Sequence, residues 1–235
     1  MTVVIADGRR DREVLCARLE RMLALGVDGV VTVSGQADAG TIGDFARRVP
    51  LVVVGRPIDL PPGVGQVSND DRSGMRLAMH HLIALGHRRI AHLSGSQRPA
   101  AVARRDSYLA TMRELGLEDA TVVEADPAVL IAAAAGGGDD APTAVCCAND
   151  RLAVDLIGRA FDAGIRVPDA LSVAGYDDID LASKLRPTLT SVDQPRRDMG
   201  ALALRQLTDM LAGNPARHEV ATPTLVVRES TAQVA

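Results

Sequence analysis

One punctuation mark, repeated along the chain, constrains the fold more than any other feature. Leu25-Gly26, Leu85-Gly86, Leu115-Gly116 and Ala163-Gly164 each close a stretch of helical period just before a short apolar run. Glycine enters the left-handed conformation beyond a helix end without a Cβ penalty, so each pair reads as a helix stop. The apolar runs occupy residues 3–6, 29–33, 51–54, 90–94, 121–124, 144–147 and 171–175. They are apolar nearly throughout rather than alternating, the pattern of parallel strands covered on both faces. Met75, Ala78, Met79, Leu82 and Ile83 follow i, i+3, i+4, i+7, i+8 spacing, and so do Ala153, Leu156, Ile157, Ala160 and Phe161. Strand, helix, glycine and strand in repetition specify βαβ units and an α/β fold on mostly parallel sheet.

About ten strands are counted in all, and the Pro-rich stretches 57–65 and 187–195 interrupt the succession of units, so more than one sheet is expected. The second interruption opens a new helix, 196–211, with Met199, Leu202, Ala203, Leu207, Met210 and Leu211 on one face. Residues 132–138, rich in Ala and Gly, read as a weak helix running into a loop. No repeat of solenoid period is present.

Composition removes several function classes. A chain of 235 residues suits one large domain or two small ones. The apolar share of 47% and charged share of 24% exclude wholesale disorder. There is no Trp, and the other aromatics are Phe45, Phe161, Tyr108 and Tyr176, too few for a stacking platform. A net charge of −4 argues against a nucleic-acid-binding surface within these residues. No apolar run reaches the roughly 18 residues of a membrane helix. The start, Met1-Thr2-Val3-Val4-Ile5-Ala6-Asp7, has neither the charged flank nor the long apolar core of a signal peptide. Cys16, Cys146 and Cys147 cannot build a disulfide framework, and a reducing cytoplasm is the simplest compartment.

Most short motifs read as structure. Gly136-Gly137-Gly138 follows a helix and precedes a strand, the reverse of a phosphate cradle, and reads as a flexible loop. Val33-Ser34-Gly35 stands after a strand but lacks the remaining glycines of a nucleotide loop. His80 and His81 are adjacent on a helix, about 100° apart, and do not form the i, i+4 pair of a zinc helix. No cofactor motif or G-x-S-x-G elbow is present. Cys146 and Cys147 lie on an apolar strand and read as packing residues, while Arg104-Arg105 and His87-Arg88-Arg89 read by default as solvated faces. Two groups at strand ends stand apart: Asn149-Asp150 after 144–147, and Tyr176-Asp177-Asp178 after 171–175. Ligands of open α/β sheets bind at the carboxyl ends of strands, where carboxylates and amides can hold hydroxyls or amines. Capping of the next helix explains Asn149 equally well, whereas no strongly periodic helix follows Asp177 and Asp178.

Longer runs carry a resemblance. Asp70-Asp71-Arg72-Ser73-Gly74 is followed by His81-Leu82-Ile83-Ala84-Leu85-Gly86-His87-Arg88-Arg89-Ile90-Ala91. Ala148-Asn149-Asp150 is followed by Gly164-Ile165-Arg166-Val167-Pro168-Asp169 and by Leu171-Ser172-Val173-Ala174-Gly175-Tyr176-Asp177-Asp178. Pro187-Thr188-Leu189-Thr190-Ser191-Val192-Asp193-Gln194-Pro195 then precedes Met199-Gly200. In this order, over residues 1 to about 230, the runs resemble the LacI (lactose repressor) family of bacterial transcription regulators.

The resemblance implies a fold like that of type I periplasmic binding proteins, with two doubly wound parallel-sheet subdomains joined by three crossovers near Gly86, Gln194 and Thr222. Residues 1–86 with 195–222 would form the N-terminal subdomain, and 87–194 with 223–235 the C-terminal one. An effector would lie in the cleft, contacted by Ser73, Arg104, Asn149, Asp177 and Gln194, with Arg104 and Asp177 meeting it from opposite walls. The family's helix-turn-helix part has no counterpart in this sequence. Residues 1–7 match the family's second strand, so the N-terminal subdomain is expected to lack its first strand and helix, as in a truncated product or a misplaced start. Pro127 replaces an aromatic that often stacks on the ligand, and the helix that follows, up to Pro142, is shortened.

The expected function is that of the effector-sensing and dimerising part of a cytoplasmic regulator, with a sugar, sugar phosphate or nucleoside-like ligand. Operator DNA would be reached only through a helix-turn-helix not present here, with no membrane partner, no cofactor and no catalysis. A transporter's solute-binding protein of the same fold is the alternative, opposed by the missing export signal. An α/β enzyme using Asp177 or Asp178 is a further rival, opposed by the lack of a paired base and nucleophile.

Overall fold

The computed structural model describes residues 2–9, 11–33, 38–56, 59–94 and 96–234. The chain forms two compact units, Met1–Asn69 with Pro195–Ala221, and Asp70–Gln194 with Thr222–Ala235. Each unit alternates helices with the strands of a mostly parallel sheet, the α/β architecture that the βαβ punctuation points to. Gly26, Gly86, Gly116 and Gly164 have φ of 74°, 93°, 66° and 72°, so all four helix stops adopt the left-handed conformation.

The smaller unit contains α1 (Arg12–Ala24), β1 (Val30–Val33), α2 (Ala39–Ala46), β2 (Leu51–Val54), β3 (Gly65–Asn69), α7 (Arg196–Leu211) and β9 (His218–Ala221). Its sheet runs β1-β2-β3-β9, with every neighbouring pair parallel. Alternate residues of one strand feed opposite cores. Leu51 and Val53 pack with Leu19, Ile42 and Phe45, while Val52 packs with Val67, Met199, Ala203 and Leu207. Each such side chain contributes about 1.5–3 kcal/mol on full burial, so both faces of β2 require apolar residues. Met199, Ala203 and Leu207 of the α7 stripe are therefore core, with Leu202 and Met210 partly buried beside them and Leu211 exposed at the helix end.

Two sequence expectations need correction in this unit. Residues 3–6 do not form a strand; Val3, Val4 and Ile5 are 68%, 48% and 91% exposed. A strand needs a ladder partner and a covered face as well as a β-branched run, and among the described residues this segment has neither. Residues 65–69, which begin at the end of the Pro-rich stretch 57–65 and are not among the expected strands, form β3. Ser34 and Gly35, like Pro57 and Ile58, lie outside the described residues.

The larger unit contains α3 (Asp71–Ala84), β4 (Ile90–Leu93), α4 (Pro99–Glu114), β5 (Val122–Glu124), α5 (Pro127–Gly136), β6 (Ala144–Cys147), α6 (Asp150–Asp162), β7 (Ser172–Asp177), β8 (Thr190–Asp193) and β10 (Thr224–Val226). The sheet order is β10-β8-β7-β6-β4-β5, with only β10 antiparallel to its neighbour. Leu93, Val145, Leu156 and Val173 belong to one core, and Met79, Ile90, Tyr108, Cys146 and Tyr176 to the other. The chain enters this unit after Asn69 rather than near Gly86. The reason is α3, whose buried Met75, Ala78, Met79 and Leu82 share a core with Tyr108 and Tyr176. Strand order reverses beside β4, which has β5 on one side and β6 on the other. The carboxyl ends of β4, β6 and β7 thus meet where ligands bind in open α/β sheets.

Among the described residues no helix is long and apolar enough to cross a membrane, and no cluster of His, Cys, Asp or Glu could hold a metal.

Candidate functional site

The site develops at the carboxyl ends of β6, β7 and β8. Strand β7 ends in Asp177 with φ of 110°, and Asp178 follows at 43°. Two consecutive non-glycine residues at positive φ cost roughly 1–3 kcal/mol each, a strain that persists only where surrounding groups over-determine it. Such groups are present. The Asp178 amide donates to Ser191 Oγ at 3.1 Å, and the Ile179 amide donates to Asp150 Oδ2 at 2.8 Å. Arg228 Nη1 donates to Asp178 Oδ1 at 2.6 Å. Asp177 Oδ1 accepts from Arg104 Nη1 at 3.3 Å and from the Gln194 side-chain amide.

Arg104 is the most constrained cation of the unit. It lies on α4 and is only 6% exposed. Its Nε and Nη2 both reach Asp71 Oδ1 at 2.9 Å, and its Nη1 donates to the Ala148 carbonyl at 2.6 Å. The guanidinium also lies 3.6 Å from the Tyr176 ring centroid. A buried guanidinium satisfied in this way acts as a fixed strut between α3, the end of β6 and the end of β7. It does not come from a wall opposite Asp177, as the resemblance implied; both residues belong to one unit and pair directly. Nor is it solvated, the default reading of the Arg104-Arg105 cluster. His87, in the other basic cluster, is 3% exposed and bonds Thr143 and the Ala232 carbonyl.

Beneath Asp177 and Asp178 lies a third carboxylate. Asp150 is fully buried, and its Oδ1 accepts from Ser191 Oγ at 2.6 Å. Burial pushes its carboxyl up to about 6, with Asp177 and Asp178 adding to the rise. Space for it comes from Gly175, where an added Cβ would stand 2.2 Å from Asp150 Oδ1.

Of the five residues implied by the resemblance, Arg104, Asp177 and Gln194 come together. The other two take part in capping helices. Asn149 Oδ1 accepts from the Leu152 amide at 3.1 Å and caps α6. Ser73 lies on the first turn of α3, where its amide and hydroxyl donate to Asp70, the cap, at 3.0 and 2.7 Å. Cys146 and Cys147 are packing residues, their thiols pushed far up by burial. The sequence singles out Asp150 and Tyr176 only as neighbours in the two strand-end groups, and Asp71, Ser191 and Arg228 escaped sequence reasoning as parts of this site. Asp71 and Asp150 carried a signal, since each is a second polar residue where one cap would suffice.

Comparison with known proteins agrees with this architecture. The family profile described as a periplasmic binding protein-like domain matches residues 79–231. Over 234 residues the chain is 37% identical to the HTH-type transcriptional regulator MalR of Streptomyces coelicolor, an alignment covering 91% of this chain and 67% of that protein. The chain spans about two thirds of the length of the curated relatives it matches. A LacI transcriptional regulator from a Rhodococcus species superposes with a TM-score of 0.83 at 32% identity, covering 92% of this chain and 82% of that one. The transcriptional regulator CelR in complex with cellobiose superposes with a TM-score of 0.74, also at 32% identity, over 92% of this chain and 69% of that one.

Proposed function

The chain belongs to the LacI family of transcriptional regulators and carries that family's effector-binding domain, and from this premise we propose that the larger unit binds a small, hydroxyl-rich effector at the carboxyl ends of β6, β7 and β8. One observation carries the reading. Asp177 stands at positive φ at the end of a central strand and its carboxylate is held by Arg104 and Gln194, yet its side chain remains 27% exposed. An acceptor fixed before the ligand arrives loses little conformational freedom on binding, so its hydrogen bonds translate into affinity. Hydroxyls are the donors that suit such a carboxylate, and the cellobiose-bound relative supports a sugar.

In this reading Asp177 and Gln194 touch the effector, and Arg104 acts through Asp177. Asn149, the cap of α6, and Ser73, on the first turn of α3, contribute their remaining polar atoms. The chain acts as a homodimer in the cytoplasm, without catalysis. Operator binding, as in the HTH-type relatives, resides in a helix-turn-helix outside these residues. Effector occupancy then biases a two-state equilibrium of the whole regulator.

Calorimetry with cellobiose, glucose, ribose, sugar phosphates and nucleosides tests the proposal. Asp177→Ala should weaken the best binder of the panel roughly tenfold or more, the effect of leaving a ligand hydroxyl without its charged partner. Unchanged affinity in that variant would remove Asp177 from the site.

A further inference from the structure

Asp150 does not behave as an acidic residue in a helix's first turn ordinarily does. Its carboxylate bonds to the Ile179 amide and the Ser191 hydroxyl rather than to an amide of α6, and Asn149 caps that helix. Oδ2 accepts directly from the Ile179 amide at 2.8 Å. Oδ1 accepts at 2.6 Å from the Ser191 hydroxyl, whose oxygen accepts from the Asp178 amide at 3.1 Å. The two amides that follow Asp177 are thus tied, one directly and one through a hydroxyl, to a fully buried carboxylate on another element. Arg104 and Arg228, by contrast, reach Asp177 and Asp178 through the carboxylates, and their backbone bonds go to Ala148 and Leu189. A side chain at position 175 would collide with Asp150 Oδ1, so the carboxylate lies directly against β7.

We infer that Asp150 is a positioning residue of the effector site, whose carboxylate fixes the left-handed turn at Asp177 and Asp178 and thereby sets where Asp177 meets a ligand. The inference rests on the effector reading given above, because it assigns a purpose to that turn. Its first link, the hold of Asp150 on the turn, is testable without any ligand. The charged and titratable groups facing Asp150 are Asp177 on β7, Asp178 in the turn and Cys147 on β6, whose thiol burial pushes well up. The cations paired with the two facing aspartates are Arg104 and Arg228. Burial raises the Asp150 carboxyl to about 6, so its titration is readable at the amide it holds.

Amide hydrogen exchange and nitrogen-15 NMR on the full chain provide the test. Asp150→Ala should speed exchange at Asp178 and Ile179 roughly tenfold or more, the scale of one lost bond to a charged acceptor, with the amides of β4 and β6 unchanged. In the unsubstituted chain the Ile179 amide resonance should move with a midpoint near 6, and in Asp150→Asn that movement should vanish. Should Asp150→Ala fail to fold, the Asp150→Asn titration decides the matter. Cellobiose affinity, by calorimetry, should fall roughly tenfold in Asp150→Ala, matching the loss of a positioned carboxylate. Unaltered exchange at Asp178 and Ile179, or an Ile179 titration that survives in Asp150→Asn, overturns the inference. If the unsubstituted chain binds neither cellobiose, glucose nor ribose, the effector reading fails for these sugars, and exchange and titration still decide whether Asp150 holds the turn.

Discussion

Replacing Arg104 by methionine would separate a structural strut from an incidental ion pair. The side chain of Asp71 is 3% exposed, and Arg104 Nε and Nη2 both contact its Oδ1 at 2.9 Å. Removing one partner of a buried pair leaves the other charge in a medium that does not solvate it, at about 3–5 kcal/mol. The Ala148 carbonyl also loses its 2.6 Å donor and the Tyr176 ring loses its cation. These losses share one side chain and are not additive, so about 3–5 kcal/mol is the expected total. For a chain of this size that corresponds to a midpoint lowered by about 6–20 °C. Arg104→Lys keeps the charge but lacks the planar fork, so it cannot serve Asp71 and Ala148 together and should fall between the two. Thermal and urea denaturation would give both values. Introducing Asp71→Asn first should shrink the cost of Arg104→Met by about 0.5–3 kcal/mol, because the stranded charge is then absent. A cost below about 1 kcal/mol, typical of exposed pairs, or strict additivity with Asp71→Asn, would refute the strut.

Two glycines should respond oppositely to alanine. At Gly74 on α3 an added Cβ would stand 2.1 Å from Tyr176 Oη, so Gly74→Ala should destabilise by about 1–3 kcal/mol, whereas nothing lies within 4 Å at Gly158 on α6, where alanine should stabilise by about 0.5–1 kcal/mol. Chemical denaturation reads both, and a common sign would contradict the packing described for α3. Burial pushes the fully buried His92 down to about 4 from 6.5, so its contribution is intact above 6.5 and lost as pH falls toward 4, by about 3 kcal/mol. Asp150, raised from 3.8 to about 6, has the opposite sign and adds stability as pH falls through that window. Denaturation series from about pH 7 to about pH 4 should therefore show a shallower acid loss in His92→Leu and a steeper one in Asp150→Asn. Identical slopes would show that neither group is desolvated as described.

The sequence was most legible where one residue type has one physical use. Glycine after Leu25, Leu85, Leu115 and Ala163 reports a left-handed helix end, and each expectation agrees with the φ of the structure. Helix 196–211 was readable for the same reason, since a stripe at helical spacing has few alternatives. Its destination was not. Periodicity shows that Met199, Ala203 and Leu207 share a face, but only the sheet they cover reveals that the face is core. The run at 3–6 failed for a related reason, because a strand depends on a partner that local pattern does not describe. Strands β3 and β9 show the complement: short, polar-containing segments become strands because a parallel neighbour is at hand.

The site divides along the same line. Asn149, Asp177 and Gln194 could be singled out because they stand at strand ends or in recognisable runs, and position along a strand is a local property. What each one does depends on residues distant in sequence. Arg104 meets Asp71, 33 residues away, and Asp177, 73 residues away. Asp150 meets Ser191 across 41 residues. An aspartate at the start of a helix looks identical in sequence whether it stabilises the helix or reaches away from it. The difference is made at Gly175, where the missing side chain leaves room for the Asp150 carboxylate against β7. Gly175 and Asp150 therefore form one unit. Gly175→Ala should reproduce the faster Asp178 and Ile179 exchange of Asp150→Ala, because it displaces the same oxygen, and the two substitutions together should add little to either alone. Additive effects on that exchange would mean that the carboxylate and the turn are held independently.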